Sequence, residues 1–280
     1  MTARHGQSAP IDFSLTGRVA IVTGGAGLLG VQHAKAIAAA SGVPVLADIR
    51  GADASARAAE IAAAYDVPAM GIECDVTRPE SISALVQVVL ERLGRVDILV
   101  NNAANNPKVE IPGDAFSRLE RFPAEQWNAD IAVGLTGPFL CAKIIGGAFA
   151  AQKRGVIINI SSEYGIIAPD QRLYQKEDLP PDEQPVKPVT YSVVKAGLHG
   201  LTLYLATYWA HAGVRVNTIS LGGVESGQPA AFLERAAARI PMGRMAQPHD
   251  FQGALVYLCS DAAAFVTGAN LVVDGGKTIW

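Results

Sequence analysis

The sequence predicts an α/β fold: a doubly wound, seven-stranded parallel sheet with helices on both faces, forming a single domain. From Arg18 onward, short β-branched runs alternate with longer Ala- and Leu-rich segments of helical period, which is the pattern of strand–helix units. Most of the β-branched runs are apolar throughout, so both faces of these strands are expected to be buried, as in a parallel sheet. A length of 280 residues suits one large domain of this kind.

Strands and helices alternate along the whole chain. The predicted strands are residues 19–22, 43–47, 69–74, 98–100, 156–160, 215–220 and 271–273. The predicted helices are residues 30–40, 54–64, 81–93, 124–150, 191–211, 229–239 and 248–260. The third helix has signals at both ends, because Thr77 can cap its first turn and Gly94 can stop it.

Two segments do not follow this alternation. Residues 1–14 are mostly polar and predict a flexible N-terminal arm ahead of a domain at 15–280. Residues 165–190 predict a loop insertion, because positions 167–189 contain five prolines and many charged residues without an apolar period. A structureless stretch of this length is usually a lid, a binding loop or a disordered segment. A solvated insertion that never touches a ligand is the alternative.

Composition excludes several classes of partner. A formal net charge of -3, with no Lys/Arg stripe along a predicted helix, argues against nucleic acid. The uninterrupted apolar runs are far shorter than the ~18 residues of a membrane span, and residues 1–12 lack the apolar stretch of a secretory signal. Cys74, Cys141 and Cys259 lack zinc or disulfide spacing, and the five histidines are scattered. We therefore expect a cytoplasmic protein with a small-molecule ligand and no metal.

A glycine-rich turn joins the first strand to the first helix. The segment Thr23-Gly24-Gly25-Ala26-Gly27-Leu28-Leu29-Gly30 lets backbone N–H groups approach a pyrophosphate, whose charge the helix dipole stabilises. The expected contacts are Gly24, Gly27, Leu28, Leu29 and Gly30. A glycine-rich turn without a ligand is the alternative.

An acidic residue ends the second strand and indicates which cofactor is bound. Asp48, beside Ile49, follows the glycine turn by some twenty residues, where a carboxylate can accept hydrogen bonds from ribose hydroxyls. A 2′-phosphate would face this charge, and the neighbouring Arg50 would not easily offset it, so NAD is preferred over NADP. A solvated strand-end carboxylate is the alternative. Asp75 and Val76 close the third strand where they can contact the adenine edge.

A tyrosine and a lysine lie one helical turn apart at the end of the insertion. Tyr191 and Lys195 therefore share a helix face. An ammonium near a phenol favours the phenolate, so we expect Lys195 to lower the pKa of Tyr191 toward the working pH of a general acid/base. Ser162 could polarise the substrate oxygen. By itself, Tyr-x-x-x-Lys is a weak signal that often marks a surface pair.

Taken together, these features resemble the short-chain dehydrogenase/reductase family from Leu15 to the C-terminus. The motifs are the turn at 23–30, Asp75, Asn101-Asn102-Ala103-Ala104, Asn159-Ile160-Ser161-Ser162, Tyr191 to Lys195, Asn217, and residues 267–270 and 273–276. The resemblance implies that Ser162 orients substrate, Tyr191 is the general acid/base, and Lys195 also holds the nicotinamide ribose. It also implies a homodimer or homotetramer built on helices 124–150 and 191–211. The further cofactor contacts expected on this basis are Asn102, Ala103, Ala104, Gly222 and Val224.

The chain departs from the family pattern at several positions. Leu28 stands where a glycine is usual, Gly134 aligns with the asparagine that anchors a proton-relay water, and Leu221 replaces a proline. The distance from Ser162 to Tyr191 is also longer than is common. We expect NAD to bind nevertheless, and the relay to use backbone and water, or Tyr191 and Lys195 alone.

The expected reaction interconverts a secondary alcohol and a ketone on a polar, possibly sugar-derived molecule. The polar insertion supports this class of substrate, with Glu163, Gln171 and Arg172 as candidate contacts. The segments at 25–30, 102–107 and 133–137 also resemble a branch associated with bacterial surface sugars and flagellin glycan precursors. Two alternatives stay open: a reductase of 3-oxoacyl thioesters, and a dinucleotide-binding regulatory protein without chemistry, which only Gly134 supports.

Overall fold

Seven parallel strands form one sheet in the computed structural model, which describes residues 11–105 and 117–280. The strands are β1 Val19–Thr23, β2 Val43–Asp48, β3 Met70–Glu73, β4 Ile98–Asn101, β5 Gly155–Ser162, β6 Val214–Leu221 and β7 Asn270–Val273. Their order is β3-β2-β1-β4-β5-β6-β7, and every neighbouring pair is parallel. The predicted seven-stranded parallel sheet is confirmed.

Helices cover both faces of this sheet. They are α1 Leu28–Ala39, α2 Gly51–Tyr65, α3 Pro79–Leu93, α4 Ala124–Ala151, α5 Val189–Tyr208, α6 Ala230–Ala237 and α7 Gln252–Cys259. Successive strand residues point to opposite faces, so Ile21 packs with α3, α4 and α5, whereas Val22 packs with α1 and α7. The two cores confirm the doubly wound arrangement.

Some predicted helix ends differ from the observed ones. Pro79 occupies the first turn of α3, so Arg78 is the N-cap and Thr77 lies one residue before it, with its hydroxyl donating to Asp75 Oδ1 at 2.7 Å. The predicted Thr77 cap is therefore wrong, whereas Gly94 ends α3 with φ +74° as expected. Helix α5 ends at Tyr208, and Ala210–Ala212 forms a separate 3-10 turn rather than its last turn.

Helix α4 is long and apolar enough to cross a membrane, by length and composition alone. Within the described residues it is the one such helix, with a mean hydropathy of 1.6. The search for uninterrupted apolar runs in the sequence did not find this helix, because glycines and Lys143 divide its apolar residues into short runs. Its Ile145 and Phe149 side chains are fully buried in the core against the sheet, which accounts for part of the apolar composition.

The insertion at 165–190 contains regular structure. A 3-10 turn spans Gln171–Tyr174, and its Leu173 and Tyr174 side chains are buried. The Tyr174 ring lies 5.8 Å from that of Phe232 in α6. The insertion is thus packed on α6 rather than structureless. Of the predicted arm at 1–14, positions 1–10 lie outside the described residues, so the arm stays a prediction.

A buried histidine in α1 makes the fold sensitive to acid. His33 is fully buried, and neither ring nitrogen has a hydrogen-bond partner among the described residues. Burial lowers its pKa from 6.5 to about 4, so the unfolded chain binds a proton more readily than the folded chain. The contribution to stability is complete above pH 6.5 and is lost as the pH falls toward 4.

We expect the His33→Leu variant to lose less stability than the wild type on acidification. The wild type should lose about 2 kcal/mol of unfolding free energy between pH 7 and pH 5 through this residue. Urea denaturation at the two pH values measures the loss. The exposed His211→Gln serves as the matched control and should follow the wild type. An equal loss in His33→Leu and wild type would show that His33 is not the acid-sensitive group.

Candidate active site

A cavity of about 570 Å³ lies at the carboxyl ends of the strands. It straddles the point between β1 and β4 where the strand order reverses, which is where ligands bind in open α/β sheets. All the predicted cofactor residues line it, namely Gly24, Gly27, Leu28, Leu29, Gly30, Asp48, Ile49, Asp75, Val76, Asn102, Ala103, Ala104, Tyr191, Lys195, Gly222 and Val224. The fold thus brings these residues together in one place.

The glycine turn has room for backbone only. Gly24 has φ +62°, and an added Cβ there would lie 3.0 Å from Ala103 Cα. An added Cβ at Gly30 would lie 2.1 Å from the Gly24 carbonyl oxygen. The N-cap of α1, Gly27, makes no side-chain capping bond, so the first-turn N–H groups remain for an anion such as a pyrophosphate. Leu28 is 51% exposed and does not fill the turn.

Asp48 is held in place between the glycine turn and Arg50. Its Oδ2 accepts from the Ala26 N–H at 3.0 Å, and its Oδ1 accepts from the Arg50 N–H at 3.0 Å. The residue is buried. Each carboxylate oxygen has two lone pairs, so acceptor capacity remains for the hydroxyls of a ribose. The glycine turn and this carboxylate together fit a dinucleotide.

Ser162, Tyr191 and Lys195 meet at the end of the cavity near the insertion. Ser162 ends β5, and the other two side chains lie in the first two turns of α5. The Ser162 hydroxyl acts on the Tyr191 phenol in the direction of a lower pKa, and both side chains line the cavity. The Lys195 ammonium donates to the Ile160 carbonyl at 2.8 Å, with Nζ 5.8 Å from the centroid of the Tyr191 ring.

The expected effect of Lys195 on the phenol is not observed. Burial is the largest effect on Tyr191 and raises its pKa, which the hydrogen bond with Ser162 partly counters. Lys195 is also buried, and burial followed by the charge of Lys187 lowers its pKa to about 8. The predicted lowering of the Tyr191 pKa is therefore wrong for this geometry, because the ammonium is directed at a carbonyl.

Gly134 lies in a π-helical segment of α4, Ala132–Thr136. An added Cβ would lie 2.5 Å from Val194 Cγ1. An asparagine at this position would therefore require Val194 to move. The space next to Gly134 is filled by the Val194 side chain of α5, and Gly134 itself supplies no side-chain amide for a relay water.

The predicted substrate residues divide into two groups. Glu163 lines the cavity, whereas Gln171 and Arg172 do not. Gln171 Oε1 accepts from the Lys187 N–H at 2.8 Å, and the Arg172 side chain, 75% exposed, pairs with Asp170. These two predictions are corrected, because the 3-10 turn directs Leu173 and Tyr174 to the cavity instead.

Several cavity residues were not found from sequence. They are Tyr164, Leu173, Tyr174, Phe232, Met245 and Lys277. None of them belongs to a motif, and Lys277 comes from the 3-10 turn Lys277–Ile279 at the end of the chain. Tyr164 lies two residues after Ser162, whereas long-range folding brings the other five to the site.

Comparisons with known proteins agree with this geometry. The family model described as short chain dehydrogenase matches residues 18–174, and that described as Enoyl-(Acyl carrier protein) reductase matches residues 184–278. The chain is 34% identical over 287 aligned positions, across 100% of both proteins, to a D-threitol dehydrogenase of Mycolicibacterium smegmatis. It is 32% identical to an NADP-dependent mannitol dehydrogenase of Alternaria alternata, over 95% of this chain and 94% of that protein.

A solved structure shows the same likeness. A short-chain type dehydrogenase/reductase from Mycobacterium marinum superposes with a TM-score of 0.84 at 28% identity, over 96% of this chain and 98% of that one. With the motifs and the cavity, these matches show that the chain is an oxidoreductase that belongs to the short-chain dehydrogenase/reductase family.

Proposed function

We propose that the protein is an NAD(H)-dependent oxidoreductase that interconverts a secondary alcohol and its ketone on a polar, polyol-like small molecule. The observation that carries the proposal is the meeting of Ser162, Tyr191 and Lys195 at one end of the cavity that also holds the glycine turn and Asp48. The likeness to dehydrogenases named for threitol and mannitol supports a polyol.

Each catalytic side chain has a separate task. Ser162 Oγ donates to the substrate oxygen and positions it beside Tyr191 Oη, which transfers the proton. The raised pKa of Tyr191 keeps the phenol protonated at neutral pH and favours ketone reduction. Lys195, fixed by the Ile160 carbonyl, would hold the nicotinamide ribose. The nicotinamide, when bound, supplies or accepts the hydride.

The test is a dehydrogenase screen with NAD. Polyols, sugars, sugar phosphates and nucleotide sugars are supplied in turn, and the absorbance of the reduced cofactor is followed. We expect turnover with at least one polyol. A protein that binds NADH but oxidises none of these alcohols would contradict the proposal and favour the regulatory alternative.

Cofactor preference gives a second test. We expect NADH to bind on the order of 100-fold more tightly than NADPH, because Asp48 repels a 2′-phosphate in a partly buried site. Calorimetric titration measures both affinities. Asp48→Ala should narrow the difference, whereas the exposed Asp53→Ala, which also removes a partner of Arg50, should not. Equal affinities in the wild type would mean that Arg50 outweighs Asp48.

A 3-oxoacyl thioester reductase is the second candidate. It is favoured by one wall of the cavity, where Leu173, Tyr174, Phe232 and Met245 form an apolar cluster. The match to a model described as Enoyl-(Acyl carrier protein) reductase is compatible with it. Reduction of acetoacetyl-CoA with NADPH, faster than any polyol reaction, would select this candidate.

Three further expectations are kept as proposals. Assembly as a homodimer or homotetramer is supported by exposed Leu203, Tyr204 and Tyr208 on α5. The association with surface-sugar and flagellin glycan precursors stays a prediction, and positions 106 and 107 of its motif lie outside the described residues. A cytoplasmic location also stays a prediction.

A further inference from the structure

A buried ion pair forms part of the cavity wall beside the catalytic serine. Glu163 follows Ser162 directly, and Lys277 comes from the last turn of the chain. Lys277 Nζ lies 2.5 Å from Glu163 Oε1, and the two side chains are only 11% and 3% exposed. Both residues line the cavity, so a charged pair with little access to water lies where a substrate would bind.

One oxygen of this pair has no partner. Glu163 Oε2 is buried and receives no hydrogen bond from the described residues. Burial raises the pKa of Glu163, while Lys277 and the Gly223 N–H counter that effect. An unpaired carboxylate oxygen in such a place is costly, and a ligand that donates a hydrogen bond to it removes the cost.

Lys277 also has a donor to spare. Its ammonium carries three N–H groups, of which one is directed at Glu163 Oε1 and another at Tyr164 Oη, 3.4 Å away. Tyr164 in turn packs edge-on against Tyr191, with ring centroids 6.4 Å apart. The pair therefore lies next to the reacting centre and offers one acceptor and one donor.

A hydroxyl group is the chemical group that matches this arrangement. It can donate to Glu163 Oε2 and accept from Lys277 at the same time, whereas an alkylammonium group only donates and a carboxylate only accepts. We propose that Glu163 and Lys277 together recognise a hydroxyl group next to the reacting carbinol, so that vicinal diols are selected over mono-alcohols of the same carbon skeleton. This inference rests on the proposed function and makes both residues determinants of specificity.

The test compares matched substrates with NAD. Butane-2,3-diol is paired with butan-2-ol, and cyclohexane-1,2-diol with cyclohexanol. In the wild type we expect kcat/KM to favour each diol by on the order of 100-fold or more, because a site built to bind a hydroxyl rejects the analogue that lacks it. In the neutral double variant Glu163→Leu/Lys277→Met the preference should fall to within about threefold.

Two further variants complete the experiment. Arg172→Ala, an exposed charge of the insertion outside the cavity, should keep the wild-type preference. Glu163→Gln retains the size of the side chain and should lower the preference for the diol mainly by raising the KM of the diol. This variant tests the inference if the double variant does not fold. NADH affinity near that of the wild type shows that a variant is folded.

Different results overturn the inferred diol preference and the proposed function. Equal kcat/KM for diol and mono-alcohol in the wild type overturns the inference and leaves the proposed function intact. An undiminished preference in a double variant that binds NADH does the same. Oxidation of no alcohol of any kind by a protein that binds NADH overturns the proposed function, and the inference with it.

Discussion

Replacing Tyr191 with phenylalanine is expected to reduce kcat on the order of 10³-fold or more while NADH affinity stays near that of the wild type. The substitution deletes the hydroxyl that shares the cavity with Ser162, and with it the transferable proton. It keeps the ring, over which Lys187 Nζ lies 4.1 Å from the centroid, so little of the cavity surface changes. Steady-state kinetics and NADH titration separate the two effects.

The matched control for this variant is Tyr164→Phe. Tyr164 lines the same cavity and contacts the Tyr191 ring, but its hydroxyl accepts a hydrogen bond from Lys277. We expect it to retain most of the turnover. Lys195→Ala should weaken both turnover and NADH affinity. More than a tenth of the wild-type rate in Tyr191→Phe would show that another group transfers the proton.

Adding one methyl group to the glycine turn is expected to have the second large effect. In Gly30→Ala the new Cβ would lie 2.1 Å from the Gly24 carbonyl oxygen and 2.8 Å from Gly25 Cα. Both are backbone atoms, so the turn itself must move. We expect NADH affinity to fall on the order of 100-fold and the free energy of unfolding to fall by about 3 kcal/mol. Calorimetry and urea denaturation measure the two quantities.

Gly253→Ala provides the comparison for Gly30→Ala. Gly253 lies in α7, and no described atom is within 4 Å of the added Cβ. Alanine is the better helix former by about 0.8–1.0 kcal/mol, so this variant should be slightly more stable and bind NADH normally. If Gly30→Ala had the same stability and NADH affinity as Gly253→Ala, the close packing described between α1 and the glycine turn would be contradicted.

The elements that sequence predicted best are those with strong local signals. β1 contains the apolar run at residues 19–22, β5 contains the apolar run at residues 156–158, and both strands are buried on both faces. Gly94 stops α3 through its positive φ. These signals lie within a few residues of the element that they define. The Thr77 cap was wrong by one residue, because Pro79 in the first turn of α3 makes Arg78 the N-cap.

Predictions about the substrate end of the cavity were less accurate. The polarity of the insertion indicated Gln171 and Arg172 as substrate contacts. The 3-10 turn that contains them places Leu173 and Tyr174 against the cavity instead. The direction of a side chain in a short turn depends on what the turn packs against, here Phe232 of α6. The composition of the insertion therefore does not show which of its side chains line the cavity.

The sequence by itself determined the order of strands and helices, the glycine turn at the start of α1, and the spacing that puts Tyr191 and Lys195 on one helix face, because each follows from local geometry. The tertiary structure alone decided the electrostatics of the site. Burial raises the pKa of Tyr191 against the expected direction. Glu163 meets Lys277 across 114 positions of the chain. Desolvation and long-range pairing depend on the whole packed fold, and no local pattern records them.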